Sequence, residues 1–182
     1  MRKLNAFLSL LLIILLIIHA VAGSLSLFGA SGKTSFVLKF LSWFMVFILC
    51  IHFIISLKLT IDEINSQIKS GVSYVFLNKL FWIRRLSGFL ILIFAICHIF
   101  LFAIKKTGEV RLKYFGKIQL TFSILFVLSL FVHIASNIKP LILSLGAVSF
   151  WDFIKDIILI ILFLSIFAAG AFIVYYLRWN TF

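Results

Sequence analysis

Acidic residues are scarce in this chain, which has five of them against 17 lysines and arginines. A basic excess of this size is typical of nucleic-acid-binding domains. Here, however, most of the basic residues flank long apolar runs, so they are better explained as anchors at lipid headgroups. Nucleic acid is therefore not an expected partner, and the lipid bilayer is.

Cysteine is also rare. Cys50 and Cys97 both lie within apolar runs, and the sequence has neither a CxxC nor a CxxCH motif. These absences argue against a zinc ribbon, a cysteine-ligated iron–sulfur cluster and a covalently attached haem. We interpret both cysteines as apolar fillers of helices.

Long polar segments are missing as well. The longest polar stretch, residues 58–79, is too short to form a core of its own. The chain is 64% hydrophobic, with a mean hydropathy of +1.27, which is more than a soluble domain of this size needs. The sequence thus predicts an all-α integral membrane protein, with residues 1–182 forming a single domain.

Five apolar runs are long enough to cross a hydrocarbon layer of about 30 Å as helices, at a rise of about 1.5 Å per residue. The first run could also be read as a secretory signal peptide, because Ala20-Val21-Ala22 resembles a cleavage site. It is longer than the apolar part of most signal peptides, so we treat it as a retained span. The predicted spans are residues 4–23, 35–57, 81–104, 118–136 and 150–176.

The connections between spans carry further signals. Thr60 to Glu63 reads as a capping box, which predicts a separate amphipathic helix at the membrane surface, ended by Gly71. Residues 137–149 contain the only proline, Pro140, and are expected to form a broken segment at the surface. The pair Ser149 and Asp152 suggests the start of the last helix.

The distribution of basic residues is nearly even between the two sides of the membrane. With the N-terminus inside, nine lysines and arginines lie on the inner side and eight on the outer side. The first span often decides orientation, and Arg2 and Lys3 precede it. We therefore expect a multi-pass protein of the cytoplasmic membrane with a cytoplasmic N-terminus.

Histidine occurs once in each of the first four spans and not in the fifth; the four are His19, His52, His98 and His133. No other repeat is apparent. A histidine deep in a membrane is costly and needs a partner or a function. Helix rise places His19 and His98 roughly 22–25 Å from the inner face, and His52 and His133 roughly 5–8 Å from it. The sequence therefore predicts two pairs, each at one depth.

Two imidazoles at one depth on different helices can supply both axial ligands of a haem iron. A neutral imidazole binds metal without burying a charge. Zinc or copper is the rival, but such sites usually take three or four ligands. Small residues that either leave room for a flat macrocycle or serve helix packing are Ala20, Gly23, Ser87, Gly88 and Ala95.

With this pattern, the chain resembles the dihaem cytochrome b subunit of the succinate dehydrogenase and fumarate reductase family. Members with a single membrane subunit have five helices, of which the first four carry the haem histidines, paired first with third and second with fourth. That arrangement implies two haem b groups, one held by His19 and His98 and the other by His52 and His133. The segment RRLSG at residues 84–88 resembles the basic start of such helices.

The resemblance also implies partners. A flavoprotein subunit and an iron–sulfur subunit would bind on the cytoplasmic side, and electrons would pass between them and a quinone, with menaquinone expected. The chain has no nucleotide-binding glycine motif or cysteine cluster, so it would be an electron-transfer subunit and not an enzyme alone. All five acids are predicted at loops or helix ends, unlike the intramembrane carboxylates of some members, and this argues against proton coupling.

Arg84 and Arg85 are predicted near the inner face, at the expected level of the propionates of the inner haem. At least one arginine is expected to pair with a propionate, and the alternative is an anchor at the headgroups. Two other functions stay open: a cytochrome b subunit of a hydrogenase or formate dehydrogenase, and a haem-free anchor or small transporter subunit. Broken helices in paired positions, expected of a transporter, are not evident.

Overall fold

Five helices make up the fold, in a computed structural model that describes residues 1–29, 36–71, 78–101, 115–147, 149 and 152–181. They are α1 (Arg2–Leu27), α2 (Phe36–Ser70), α3 (Lys79–Leu101), α4 (Lys117–Leu145) and α5 (Ile154–Thr181). All five are long and apolar enough to cross a membrane, and the described residues contain no strand. The predicted all-α membrane bundle of five helices is therefore confirmed.

The described parts of the chain run up and down through the bundle, so successive helices alternate in direction. We call the end where α1 begins the N-side; α2 and α4 finish there. At the opposite side the end of α5 closes over its neighbours: Arg178 Nη1 donates to the Phe28 carbonyl at 2.7 Å, and Asn180 Nδ2 donates to the Phe115 carbonyl at 3.1 Å. Phe115 and Phe172 form a small buried cluster beneath these bonds.

Close packing is uneven among the helices. The backbone of α3 packs closely along α4, and α1 packs along α2, while α5 lies against α1 and α4. Large apolar side chains such as Leu159, Phe163 and Ile166 stay exposed on the outside of α5. Such a surface suits lipid and not water, because apolar area in contact with water is unfavourable.

Helix α2 is longer than predicted. It continues without a break from the membrane-spanning part through the polar residues to Ser70, so the separate amphipathic helix was a wrong prediction. Thr60 does not cap a new helix; its hydroxyl donates to the Ser56 carbonyl one turn earlier, at 2.7 Å. No glycine or proline interrupts this segment, and Gly71, with φ of +68°, ends it as expected.

Helix α4 is also longer than predicted. It runs through Pro140 to Leu145 and is ended by Gly146 in a left-handed conformation, so the broken segment at 137–149 was wrong for most of its length. Proline has no N–H and therefore leaves the carbonyl four residues earlier, that of Ser136, without its helical donor. Arg84 Nε of α3 donates to this carbonyl at 2.9 Å. The neighbouring helix thus supplies the missing hydrogen bond.

The start of α5 is at Ile154, a few residues after the predicted start at Ser149. The connections that lie outside the described residues include 30–35 between α1 and α2, and 102–114 between α3 and α4.

The bond from Arg84 to the Ser136 carbonyl predicts a coupling between Arg84 and Pro140. Arg84→Met should lower the free energy of unfolding by about 1–3 kcal/mol, because it leaves the half-buried carbonyl of Ser136 without a donor. In a Pro140→Ala background the restored N–H can bond to Ser136, so the same change should cost clearly less. Unfolding of the four purified chains in detergent measures this as a double-mutant cycle. Equal costs in both backgrounds would show that the two residues are independent.

Candidate functional site

The structure brings His19 and His98 together. Their ring centroids lie 6.2 Å apart, with the ring planes at 75° to each other. Phe126 and Phe172 pack against His98, with centroid distances of 5.4 and 6.3 Å. Aromatic rings of α4 and α5 therefore pack on His98, toward the side opposite the N-side.

The separation of these two rings suits a shared metal ion. With metal–nitrogen distances of about 2.0–2.1 Å, two imidazoles on opposite sides of one ion have centroids about 6.3–6.5 Å apart. The observed separation of 6.2 Å is close to this value. The pair would therefore fit around one metal ion with little change in the separation of the rings.

His52 and His133 form a second group, nearer to the N-side. His133 Nδ1 lies 3.2 Å from the carbonyl of Arg84, so the next residue, Arg85, is at the same level of the bundle. Ser9 of α1 contacts His52, and His19 lies ten residues further along the same helix. The two levels are therefore about 15 Å apart along the helix axis. The structure thus places His19 and His98 at one level of the bundle and His52 and His133 at the other.

Each predicted pair joins helices that stand diagonally in the bundle. His19 is on α1 and His98 on α3, while His52 is on α2 and His133 on α4. Within the described residues, neither α1 and α3 nor α2 and α4 pack closely backbone to backbone. His19 and His98 therefore meet through their side chains and not through close packing of their helices.

Serine hydroxyls from adjacent helices contact the Nδ1 atoms of three histidines. His19 Nδ1 is 3.0 Å from Ser42 Oγ, and His133 Nδ1 is 3.1 Å from Ser87 Oγ. His52 Nδ1 makes a longer contact, 3.4 Å, with Ser9 Oγ. These contacts fix the rings through Nδ1 and leave Nε2 as the nitrogen available to a ligand.

Gly88 leaves the space that the His133 ring occupies. A Cβ atom at this position would lie 3.0 Å from His133 Cε1 and 3.4 Å from Nδ1, closer than side chains normally pack. The glycine therefore lets the imidazole lie directly against the backbone of α3. Two of the small residues identified in the sequence therefore contact His133: Ser87 through its hydroxyl and Gly88 through its backbone.

The two arginines have different roles. Arg84 donates a hydrogen bond to the Ser136 carbonyl, as described above. The Arg85 guanidinium lies 5.0 Å from the centroid of the Phe81 ring and 3.9 Å from a carboxylate oxygen of Glu63. Its Nε atom is buried and has no hydrogen-bond partner among the described residues. An orphaned donor beside His52 and His133 fits an acidic group carried by a bound cofactor.

Among the described residues there is no cluster of three or more His, Cys, Asp or Glu side chains. Cys50 is exposed and Cys97 partly buried, and both are free thiols. The candidate site thus consists of histidine pairs. The donor set of two imidazoles at each level fits a metal that already has four equatorial ligands, as haem iron does.

The contacts of serines with histidines were missed in reading the sequence, where Ser87 was noted only as a small residue, although a signal was present. A serine precedes the histidine by ten residues in α1, α2 and α4, and by eleven in α3; the serines are Ser9, Ser42, Ser123 and Ser87. In antiparallel helices, this spacing places the serine of one helix at the level of a histidine on another. The repeat could have been found from spacing alone, but serine in a membrane helix usually serves packing.

Comparisons with known proteins do not place the chain in a group. No protein-family model, no curated protein and no solved structure matches it.

The close contact at Gly88 predicts a specific effect of a methyl group. Gly88→Ala should displace the His133 ring and weaken or abolish cofactor binding at the N-side pair while sparing the other pair. Gly170→Ala is the matched control, because it adds the same atom to a helix with nothing within 4 Å. Reduced-minus-oxidised spectra of the purified chains measure the outcome. An unaltered spectrum in a folded Gly88→Ala chain would show that the His133 ring is not held there.

Proposed function

We propose that this protein is a dihaem cytochrome b that anchors a flavoprotein subunit and an iron–sulfur subunit to the cytoplasmic membrane and passes electrons between them and a quinone. The complex would be a succinate dehydrogenase or fumarate reductase, with menaquinone the expected quinone. The observation that carries the proposal is the pair of histidine levels in the first four helices, with His19 and His98 spaced for one metal ion.

Within this proposal the chain's own residues have distinct tasks. His19 and His98 would hold one haem, and His52 and His133 the other. Arg85 would bind a propionate of the N-side haem, since its guanidinium lies near both histidines and its Nε is an orphaned donor. The apolar bundle around both levels would exclude water. A bound haem accepts and releases one electron, so two levels about 15 Å apart give a path across part of the membrane.

Charge supports a cytoplasmic N-side. Arg2, Lys3, Arg84 and Arg85 lie there, and positive residues near the first span favour the cytoplasmic side. The polar end of α2, with Asp62 and Glu63, also projects from this side. Hydrophilic subunits would dock where this helical extension lies.

Haem content tests the proposal directly. A pyridine haemochrome assay on the purified chain should give about two b-type haems per chain, extractable without breaking a covalent bond. The expectation follows from two histidine pairs and the absence of a CxxCH motif. Purification of the native complex should also recover a flavoprotein and an iron–sulfur subunit. A chain without haem would overturn the proposal, and different co-purifying subunits would reassign it to another oxidoreductase.

The pairing predicts which variants share a defect. His19→Ala and His98→Ala should remove the same spectral component, and His52→Ala and His133→Ala the other one, because each haem needs both of its ligands. Cys97→Ala is the matched control, since it alters the residue next to His98 without removing a ligand. Potentiometric titration of the spectra separates the two components. Loss of one component in both His19→Ala and His52→Ala, with the other spared, would contradict the pairing.

Arg85 is expected to raise the potential of the N-side haem, because a nearby cation favours the reduced state. Arg85→Gln should therefore lower the midpoint potential of that haem and leave the other unchanged. Lys155→Gln removes one positive charge from the start of α5, the helix without a histidine, and is the control. Redox titration measures both. Equal potentials in wild type and Arg85→Gln would leave Arg85 with an anchoring role only.

A further inference from the structure

The serine hydroxyls beside the histidines each have a second neighbour, a backbone carbonyl on their own helix. Ser42 Oγ lies 2.7 Å from the Leu38 carbonyl, Ser9 Oγ 2.8 Å from the Asn5 carbonyl, and Ser87 Oγ 3.2 Å from the Arg84 carbonyl. A hydroxyl has one proton, and a carbonyl oxygen can only accept. The proton of each serine therefore points to its own helix, and the oxygen faces the histidine as an acceptor.

The position of the ring protons follows from this arrangement. If the serine oxygen accepts, the Nδ1 atom opposite it must donate, so the neutral ring carries its proton on Nδ1. His133 gives an independent check, because its Nδ1 also lies 3.2 Å from the Arg84 carbonyl. A bare Nδ1 there would face an oxygen lone pair. The proton on Nδ1 leaves the lone pair of the ring on Nε2.

Helices α1 and α2 make this arrangement reciprocally. Ser9 and His19 lie ten residues apart on α1, and Ser42 and His52 lie ten residues apart on α2. Because the helices are antiparallel, each serine meets the histidine of the other helix. The same contact between a serine hydroxyl and a histidine Nδ1 thus occurs at both levels of the candidate site.

We propose that Ser9, Ser42 and Ser87 are positioning residues that hold His52, His19 and His133 with the proton on Nδ1 and Nε2 free for iron, and that they lower the reduction potential of the haem at each level. The second part rests on the proposed function; the first does not. A hydrogen bond from Nδ1–H makes the imidazole a stronger electron donor, which favours the more highly charged ferric iron.

The ring protons can be measured without haem. We would record ¹⁵N spectra of the full-length chain, labelled at its histidine rings and prepared from haem-deficient cells, and assign His19 by its absence in His19→Ala. The Nδ1–H form is expected to dominate at His19 in the wild type. In Ser42→Ala the Nδ1–H fraction should fall several-fold. A predominant Nε2–H form in the wild type would overturn the positioning role, whatever the haem content.

Redox titration tests the second part. Ser42→Ala should raise the midpoint potential of the haem assigned to His19 and His98, increasing its ratio of reduced to oxidised forms at a fixed solution potential about 10-fold, equivalent to about 59 mV for one electron. Ser9→Ala and Ser87→Ala should raise the potential of the other haem instead. Ser42→Thr keeps a hydroxyl and should restore the wild-type value.

Ser165→Ala is the matched control, because Ser165 makes the same bond to its own helix, 2.8 Å to the Ile161 carbonyl, on the helix without a histidine. It should leave both potentials unchanged. A similar shift in Ser165→Ala, or no shift in Ser42→Ala with its haem retained, would overturn the tuning role. A wild-type chain without haem would instead overturn the proposed function, and the ¹⁵N spectra would still decide the position of the ring protons.

Discussion

A polar group inside the hydrocarbon layer has no water to bond, so it must be satisfied within the protein. The interior of this bundle is arranged around that constraint. Four histidines and several serines lie among apolar side chains, and each serine beside a histidine bonds both the ring and its own helix. The carbonyl freed by Pro140 is satisfied by Arg84 from the next helix. These bonds fix the register of helices that otherwise present uniform apolar surfaces.

The same constraint gives the two adjacent arginines, Arg84 and Arg85, different roles. Arg84 and Arg85 are neighbours, but Arg84 completes the hydrogen bonding of α4, while Arg85 lies beside two histidines and the Glu63 carboxylate. Adjacent positions on a helix point about 100° apart, because 3.6 residues make one turn. One arginine therefore belongs to the packing of α3 on α4, and the other faces the N-side histidines and the end of α2.

Hydropathy and helix rise were enough to predict the five helices, because both depend on the sequence of single helices. The errors arose where tertiary contacts decide. Pro140 was predicted to break the helix, because the group that replaces its missing N–H, the Arg84 side chain, is 56 positions earlier in the sequence. Thr60 was predicted to cap a new helix, because local sequence cannot show that the preceding helix continues through this residue. The serines were overlooked because their acceptors and donors lie on different helices.

Four of the five helices form two antiparallel pairs, α1 with α2 and α3 with α4, and each histidine pair takes one ring from either of them. The crossed serine–histidine contacts of the first pair involve only residues of α1 and α2, so they need neither α3 nor α4. Any atom that later joins the rings of His19 and His98 is a cross-link between an early and a late half of the chain. Its binding free energy then adds to the stability of the whole bundle, because it favours only the assembled state.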